Sequence, residues 1–309
     1  MESWRRHKLA FAFLLGPGCA WLVLFFTAPL AILWVYSFGE RGTYGDVIVT
    51  ASLENYLRAI ESIPLGIIWK SLWTAAITTA VTILVGLPVA LGIAFAPPAW
   101  KNPLLVAVIL PFWTNLLVRT YAWMAVLRGN GYLNQVLTWF HNRLSWILDL
   151  GGAVGVLPPF GPFDLLYSQA AVIVALIHIH LPFMVLPLYA VLEKLDRRYV
   201  EASLDLGASH WRTFRLVILP LAVPGLVTGT ILVFILSLGN FVAADLLGGT
   251  DSLMVGNLIA QQFGASRDWP YGSALSFLLM YATFVLLWLR AAMRRERDPG
   301  DDTDARRMP

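Results

Sequence analysis

Charge is scarce in this chain. Only 13% of its 309 residues are Asp, Glu, Lys or Arg, where a soluble domain carries about 25%. That scarcity excludes an ordinary cytosolic globule, a disordered chain and a coiled coil. Cysteine is scarcer still: Cys19 stands alone, which excludes a disulfide framework and a multi-cysteine metal site. The net charge of +3 is too small to mark a nucleic-acid binder. No G-x-x-x-x-G-K-[ST] loop occurs, so the chain has no usual cradle for ATP phosphates. Apolar residues are abundant instead, at 58%, and the mean hydropathy is +0.68. The balance is that of an integral membrane protein.

The gaps between charges place the crossings. Uncharged runs cover Leu9–Gly39, Ser71–Trp100, Asn102–Val118, Leu165–Leu192, Leu216–Ala244 and Trp269–Leu289. A helix needs roughly 20 apolar residues to cross about 30 Å of hydrocarbon. Five runs meet that length. The third is interrupted by Arg119, but apolar sequence resumes to Leu127, so it reads as one span, Leu104–Leu127. The runs lack the alternation of membrane strands. The expectation is an all-α membrane protein of six transmembrane helices.

Basic residues orient it. With the N-terminus inside, Arg5, Arg6, Lys8, Lys101, Lys194, Arg197, Arg198, Arg212, Arg215 and the arginines from Arg290 onward are cytoplasmic. Arg41, Arg58, Lys70, Arg128, Arg143 and Arg267 are left outside. This is the positive-inside sense, and six spans put both termini in the cytoplasm. Trp4-Arg-Arg-His-Lys8 before an apolar run imitates a signal peptide, but the run is far longer than an h-region.

The outer loops are long. Phe38–Gly66 holds an amphipathic stretch at Leu53–Ile60, and Gly129–Tyr167 carries the turn signals Gly151-Gly152, Pro158-Pro159 and Gly161-Pro162. Gly239–Trp269 includes Leu253–Phe263, a helix-like piece too short to cross. The inner loop Glu193–Arg215 is densely charged. In it Leu195, Tyr199, Ala202 and Leu206 recur at helical spacing on one face. Asp196 or Leu195 precedes that helix, Gly207 fits a left-handed terminator, and Ser209 can cap a second short helix at Trp211–Phe214. Two short amphipathic helices here make a knob able to fill a groove on another protein.

This loop resembles the EAA signature of bacterial ABC-importer permeases: E-A-A, three residues, G, nine residues, I, one residue, L-P. Here Glu201-Ala202-Ser203, Gly207, Val217, Leu219 and Pro220 stand at that spacing, with Ser203 and Val217 as departures. Further stretches resemble the first permease of spermidine/putrescine importers: Pro111-Phe-Trp-Thr-Asn115 with Arg119, Gly131-Tyr-Leu-Asn134, Leu181-Pro-Phe-Met184, Asp245-Leu-Leu-Gly-Gly249 and Arg267-Asp-Trp-Pro270. The resemblance spans most of the chain from Ser71 onward.

The resemblance implies a type I ABC-importer permease fold in a bacterial inner membrane. Residues 1–66 would be a first helix with its outer loop, 67–293 the permease domain with its coupling loop at 193–215, and 294–309 a disordered tail. It implies four kinds of neighbour: a homologous second permease, a homodimeric cytoplasmic ATPase, a periplasmic substrate-binding protein and membrane lipid, with no nucleic acid. ATP and Mg would sit on the ATPase, so this chain would be no enzyme and carry no cofactor of its own. Glu201, Ala202, Ser203, Gly207, Leu219 and Pro220 would couple to that ATPase. The cargo would be a small organic cation, a polyamine; related permeases carry amino-acid-like compounds or phosphonates. An ion-coupled carrier is the rival class, but it should show intramembrane carboxylates and inverted repeats.

Polar residues inside the spans are the remaining candidates. Arg119 is costly at membrane depth; it is expected to snorkel outward or pair with Asp245, or else to gate the pathway. Trp113, Asn115, Arg119 and Asp245 form a hypothetical translocation pathway, aromatic faces and carboxylates being suited to ammonium groups on methylene chains. His178 and His180 lie two apart and do not share a helix face, so no metal site is expected.

Overall fold

A computed structural model describes residues 8–150 and 161–295. The turn signals at 151–152 and 158–159, the basic residues before Lys8 and the tail from 296 lie outside the described residues.

The chain opens with α1 (Lys8–Leu22), a π-helical turn at Val23–Thr27 and α2 (Ala28–Tyr36). Among the described residues, both π turns end two residues before a proline, Pro29 here and Pro220 later. Proline removes an amide donor and crowds the carbonyl four residues back, so the ladder shifts to a wider turn. A short hairpin follows, β1 (Gly39–Arg41) against β2 (Val47–Val49), with Glu40 opposite Ile48. Then come α3 (Glu54–Arg58) and the long α4 (Ser62–Phe95). The pair α5 (Pro98–Ile109) and α6 (Leu116–Leu127) is followed by α7 (Tyr132–Leu150) and α8 (Gln169–Leu192). The knob is α9 (Arg197–Asp205) and α10 (His210–Thr213). After the π turn Phe214–Ile218 come α11 (Leu219–Leu238), α12 (Val242–Leu247), α13 (Val255–Phe263) and α14 (Trp269–Arg295).

Among the described residues, four stretches are long and apolar enough to cross a membrane: Phe13–Tyr36, Ile63–Phe95, Gln169–Leu192 and His210–Leu238. A fifth passes only as a bent pair, Pro98–Trp113 with Leu116–Ile147, at 95°. The expected single span Leu104–Leu127 is therefore broken in two. Pro111 lacks the donor a helix needs, Leu110–Trp113 tightens to a 3₁₀ turn, and Thr114 is extended. Asn115 then restarts the helix as an N-cap, its side chain accepting from the Leu117 amide at 2.8 Å. Sequence hydropathy alone smooths over such a break.

The residues fall into two compact units. One joins the chain up to Leu65 with the chain from Leu258 onward; the other is Gly66–Asn257. In the first, Asn55 donates to the Ser37 and Gly39 carbonyls at 3.2 and 2.7 Å, fixing α3 beneath the hairpin. Arg58 bonds Asp268 at 3.1 Å and lies 4.2 Å over the Tyr271 ring. Trp34 donates to the Tyr281 hydroxyl at 2.9 Å, tying α2 to α14.

In the second unit α8 and α11 form the centre. A Cβ at Gly225 would sit 2.7 Å from the Pro187 carbonyl oxygen, and one at Gly229 2.7 Å from the Met184 sulfur. Small residues let the two backbones approach, the usual device where lipid gives helices no hydrophobic drive to associate. Met184, Val185 and Leu188 are buried in this seam. A second cluster, Leu127, Ala171, Val172, Leu176, Ala243 and Leu247, packs α6, α8 and α12 together.

Candidate functional site

The inner loop folds as two capped helices. Asp196 accepts from the Arg198 amide at 3.0 Å and starts α9. Gly207 ends it at φ +81°, a conformation that costs an L-residue about 1–2 kcal/mol. The Ala208 amide returns to the Ser203 carbonyl at 3.1 Å. Ser209 accepts from Arg212 at 3.3 Å and starts α10. The Ser203 hydroxyl meets that of Thr213 at 3.0 Å, so the serine standing in place of alanine joins the two helices. Tyr199, Ala202 and Leu206 are exposed, Leu206 at 88%. Trp211, also exposed, stacks on Phe214 with centroids 5.4 Å apart. Charged Glu201, Asp205 and Arg212 surround them. An apolar stripe thus stays open on a charged knob. Leu219 and Pro220 follow at the start of α11, below the π turn.

Glu193 caps the end of α8 next to the knob, and Lys101 near the start of α5 bonds both its carboxylate oxygens. Farther along, Phe112 meets the Phe183 ring edge-on at 5.5 Å. The two contacts are about equally spaced along both segments, so 101–112 runs antiparallel beside α8.

A cavity of about 400 Å³ opens where that segment breaks. Phe112, Thr114 and Arg119 line it from the broken span, His180 and Phe183 from α8. Gly239, Asn240 and Phe241 line it from a second break, between α11 and α12. Irregular backbone at membrane depth is tolerated where it lines a cavity or is buried in protein; here two breaks share one.

Arg119 is 8% exposed. Its Nη2 donates to the Thr114 carbonyl at 2.9 Å and the Phe112 carbonyl at 3.4 Å. It neither snorkels nor pairs with Asp245. The ion pairs found among the described residues are Arg58–Asp268 and Lys101–Glu193. The break frees two carbonyls within reach, and these acceptors draw the guanidinium inward. Its Nε is buried without a partner.

Of the pathway candidates, only Arg119 lines the cavity. Asn115 is exposed and caps α6, Trp113 is 81% exposed, and Asp245 is exposed on α12. Thr114, Asn240 and the aromatic rings Phe112, Phe183 and Phe241 escaped sequence reasoning. The Gly239-Asn240 pair ending an apolar run was the available signal. His180 bonds Ser237 of α11 at 2.9 Å, and His178 accepts from Trp123 at 3.3 Å; both link helices.

Residues 62–297 match the family model of the binding-protein-dependent transport system inner membrane component. The chain belongs to that family. It is a multi-pass inner-membrane component and not an enzyme, and the ion-coupled carrier is thereby set aside. It is 37% identical over 286 residues to the spermidine/putrescine transport system permease protein PotB of Salmonella typhimurium, covering 92% of this chain and 94% of that one. It is 32% identical to the inner membrane ABC transporter permease protein YdcU of Escherichia coli, covering 92% and 88%. Among solved structures, it superimposes on a chain of a bacterial ABC transporter involved in alginate import, with TM-score 0.71, 17% identity and coverage of 97% and 99%. A chain of the MetNI methionine ABC transporter matches with TM-score 0.52 and 18% identity, over 76% of this chain and 99% of that one. These two likenesses give this family member its fold.

Proposed function

We propose that this permease is one membrane half of an ATP-driven polyamine importer. A homologous second permease would complete the pathway, and a homodimeric cytoplasmic ATPase carrying ATP and Mg would grip the knob. A periplasmic binding protein would deliver spermidine or putrescine. The relation to PotB across most of both chains supports the cargo. Among solved relatives, the alginate transporter has been crystallised with its ligand-bound periplasmic protein. α14, with 27 residues, spans about 40 Å at 1.5 Å per residue. It supplies the sixth crossing and leaves both termini in the cytoplasm.

The observation that carries this reading is the knob: two capped helices offering exposed Tyr199, Ala202, Leu206 and Trp211 to a partner. Glu201, Ala202, Ser203, Gly207, Leu219 and Pro220 would transmit the ATPase closure. Energy reaches the chain only as differential binding of the ATPase to its two conformations. Lys101–Glu193 links the knob to the segment that breaks beside Arg119, so movement of the knob reaches the cavity. Arg119 anchors that break. Trp113, Asn115 and Asp245, exposed on this chain, stay available to a pathway completed by the second subunit.

The test is uptake in a host strain deleted for this gene. Loss of spermidine and putrescine uptake, restored by the wild-type chain and not by Gly207→Val, supports the reading. Unchanged polyamine uptake with loss of amino-acid or phosphonate uptake reassigns the cargo.

A further inference from the structure

Helix α7 is amphipathic the wrong way round for water. The side turned to the protein holds buried Asn134 and half-buried Thr138, His141 and Ser145. Asn134 fixes that side. It donates to the Gly129 and Phe163 carbonyls at 3.0 and 2.8 Å and accepts from the Phe163 amide at 2.9 Å. The opposite side exposes Val136, Trp139, Phe140, Leu144, Trp146 and Ile147. At 100° per residue these fall on one continuous arc. Arg143 is the charged residue on this arc, and its guanidinium carbon lies 5.5 Å from the centroid of the Trp139 ring. Residues 132–147 contain no Asp or Glu.

Three observations choose the occupant of this face. Leu116–Ile147 together with Pro98–Trp113 is apolar enough to pass for a membrane segment, yet the two lie at 95°. Because 101–112 runs beside α8, which is itself a span, the segment Leu116–Ile147, two helices joined at the extended Arg128, runs across the direction of the spans. Tryptophans mixed with aliphatic residues and a lone arginine suit the headgroup boundary, where indoles settle and a cation reaches lipid phosphate.

We propose that the outward face of α7 lies in the membrane–water interface on the side opposite the knob. Lipid acyl chains cover Val136, Phe140, Leu144 and Ile147, and Arg143 sits at the phosphate level. The helix is a float that fixes the depth of the adjoining α6, and with it the Arg119 cavity. This inference concerns a lipid surface and does not depend on the identity of the cargo.

The experiment places an environment-sensitive nitrobenzoxadiazole label at single cysteines, in the full chain carrying Cys19→Ser and held in phospholipid nanodiscs. Phe140→Cys and Ile147→Cys report the apolar face; Asn142→Cys reports the polar groove beside Asn130 and Gln135. Nitroxide-bearing lipids are expected to quench labels at 140 and 147 at least roughly twofold more than the label at 142, with aqueous iodide giving the reverse order. Equal iodide access at all three positions overturns the proposal. Shielding of 140 and 147 from both quenchers also overturns it, since protein, from this chain or another, would then cover the face.

Discussion

Lys101 holds both carboxylate oxygens of Glu193, at 2.9 and 2.8 Å. The pair joins the end of α8, where the knob begins, to the start of the helix that breaks beside Arg119. Partly exposed ion pairs add at most about 1 kcal/mol to stability, so its effect should appear in coupling rather than in folding. Lys101→Met is expected to leave the melting temperature of the assembled transporter nearly unchanged. It should raise the ATP hydrolysed per solute imported several-fold, and the exchange Lys101→Glu with Glu193→Lys should restore part of the ratio. An unchanged ratio in Lys101→Met would remove the pair from the coupling route.

Gly207 is the knob's conformational requirement. At φ +81° a β-branched residue is strained by about 1–2 kcal/mol, enough to fray the turn between α9 and α10. Gly207→Val should insert in the membrane at wild-type levels while the ATPase no longer co-purifies. Glu201→Arg should give the same phenotype by charge instead of by strain.

Arg119 should be replaceable by neither charge nor shape alone. Arg119→Leu leaves the Thr114 and Phe112 carbonyls without their donor, a loss of about 1–3 kcal/mol, read as a lower unfolding temperature of the transporter in detergent. Arg119→Lys keeps a cation but not the planar fork, and should fall between the two. If Arg119→Leu matched the wild type in stability, the guanidinium would not be what anchors the break.

The α8–α11 seam should be intolerant of bulk. Gly229→Leu forces its Cβ within 2.7 Å of the Met184 sulfur and 3.2 Å of the Met184 Cα. The sulfur could swing away but the backbone could not. Lower yield of folded protein is expected from Gly229→Leu, and little change from Gly92→Ala, whose Cβ would meet nothing within 4 Å.

The knob was legible because its information is local: Asp196 and Ser209 each accept from an amide within three residues, Gly207 supplies the left-handed turn between them, and all three do in the structure what their spacing predicts. The broken span was not legible. Prolines also sit inside unbroken helices, such as Pro182 and Pro187 within α8, so Pro111 alone does not announce a break. What decides it is the carbonyl trap around Arg119, formed by residues that hydropathy does not weigh. α7 was hidden for a related reason. Its sequence is polar enough on one side to read as loop, and its apolar side stays exposed among the described residues.

The central claim is that a foreign ATPase grips the Leu206 side of the knob from the cytoplasm. Leu206→Cys, in a chain carrying Cys19→Ser, tests it directly when that cysteine is labelled with benzophenone maleimide and photolysed, inserting into any neighbouring C–H bond, in inverted membrane vesicles containing the whole transporter. The account predicts a cross-link to the ATPase subunit whose yield changes when ATP is added. Labelling of Cys at 206 by an impermeant maleimide added outside intact spheroplasts, with no cross-link to the ATPase, would contradict it.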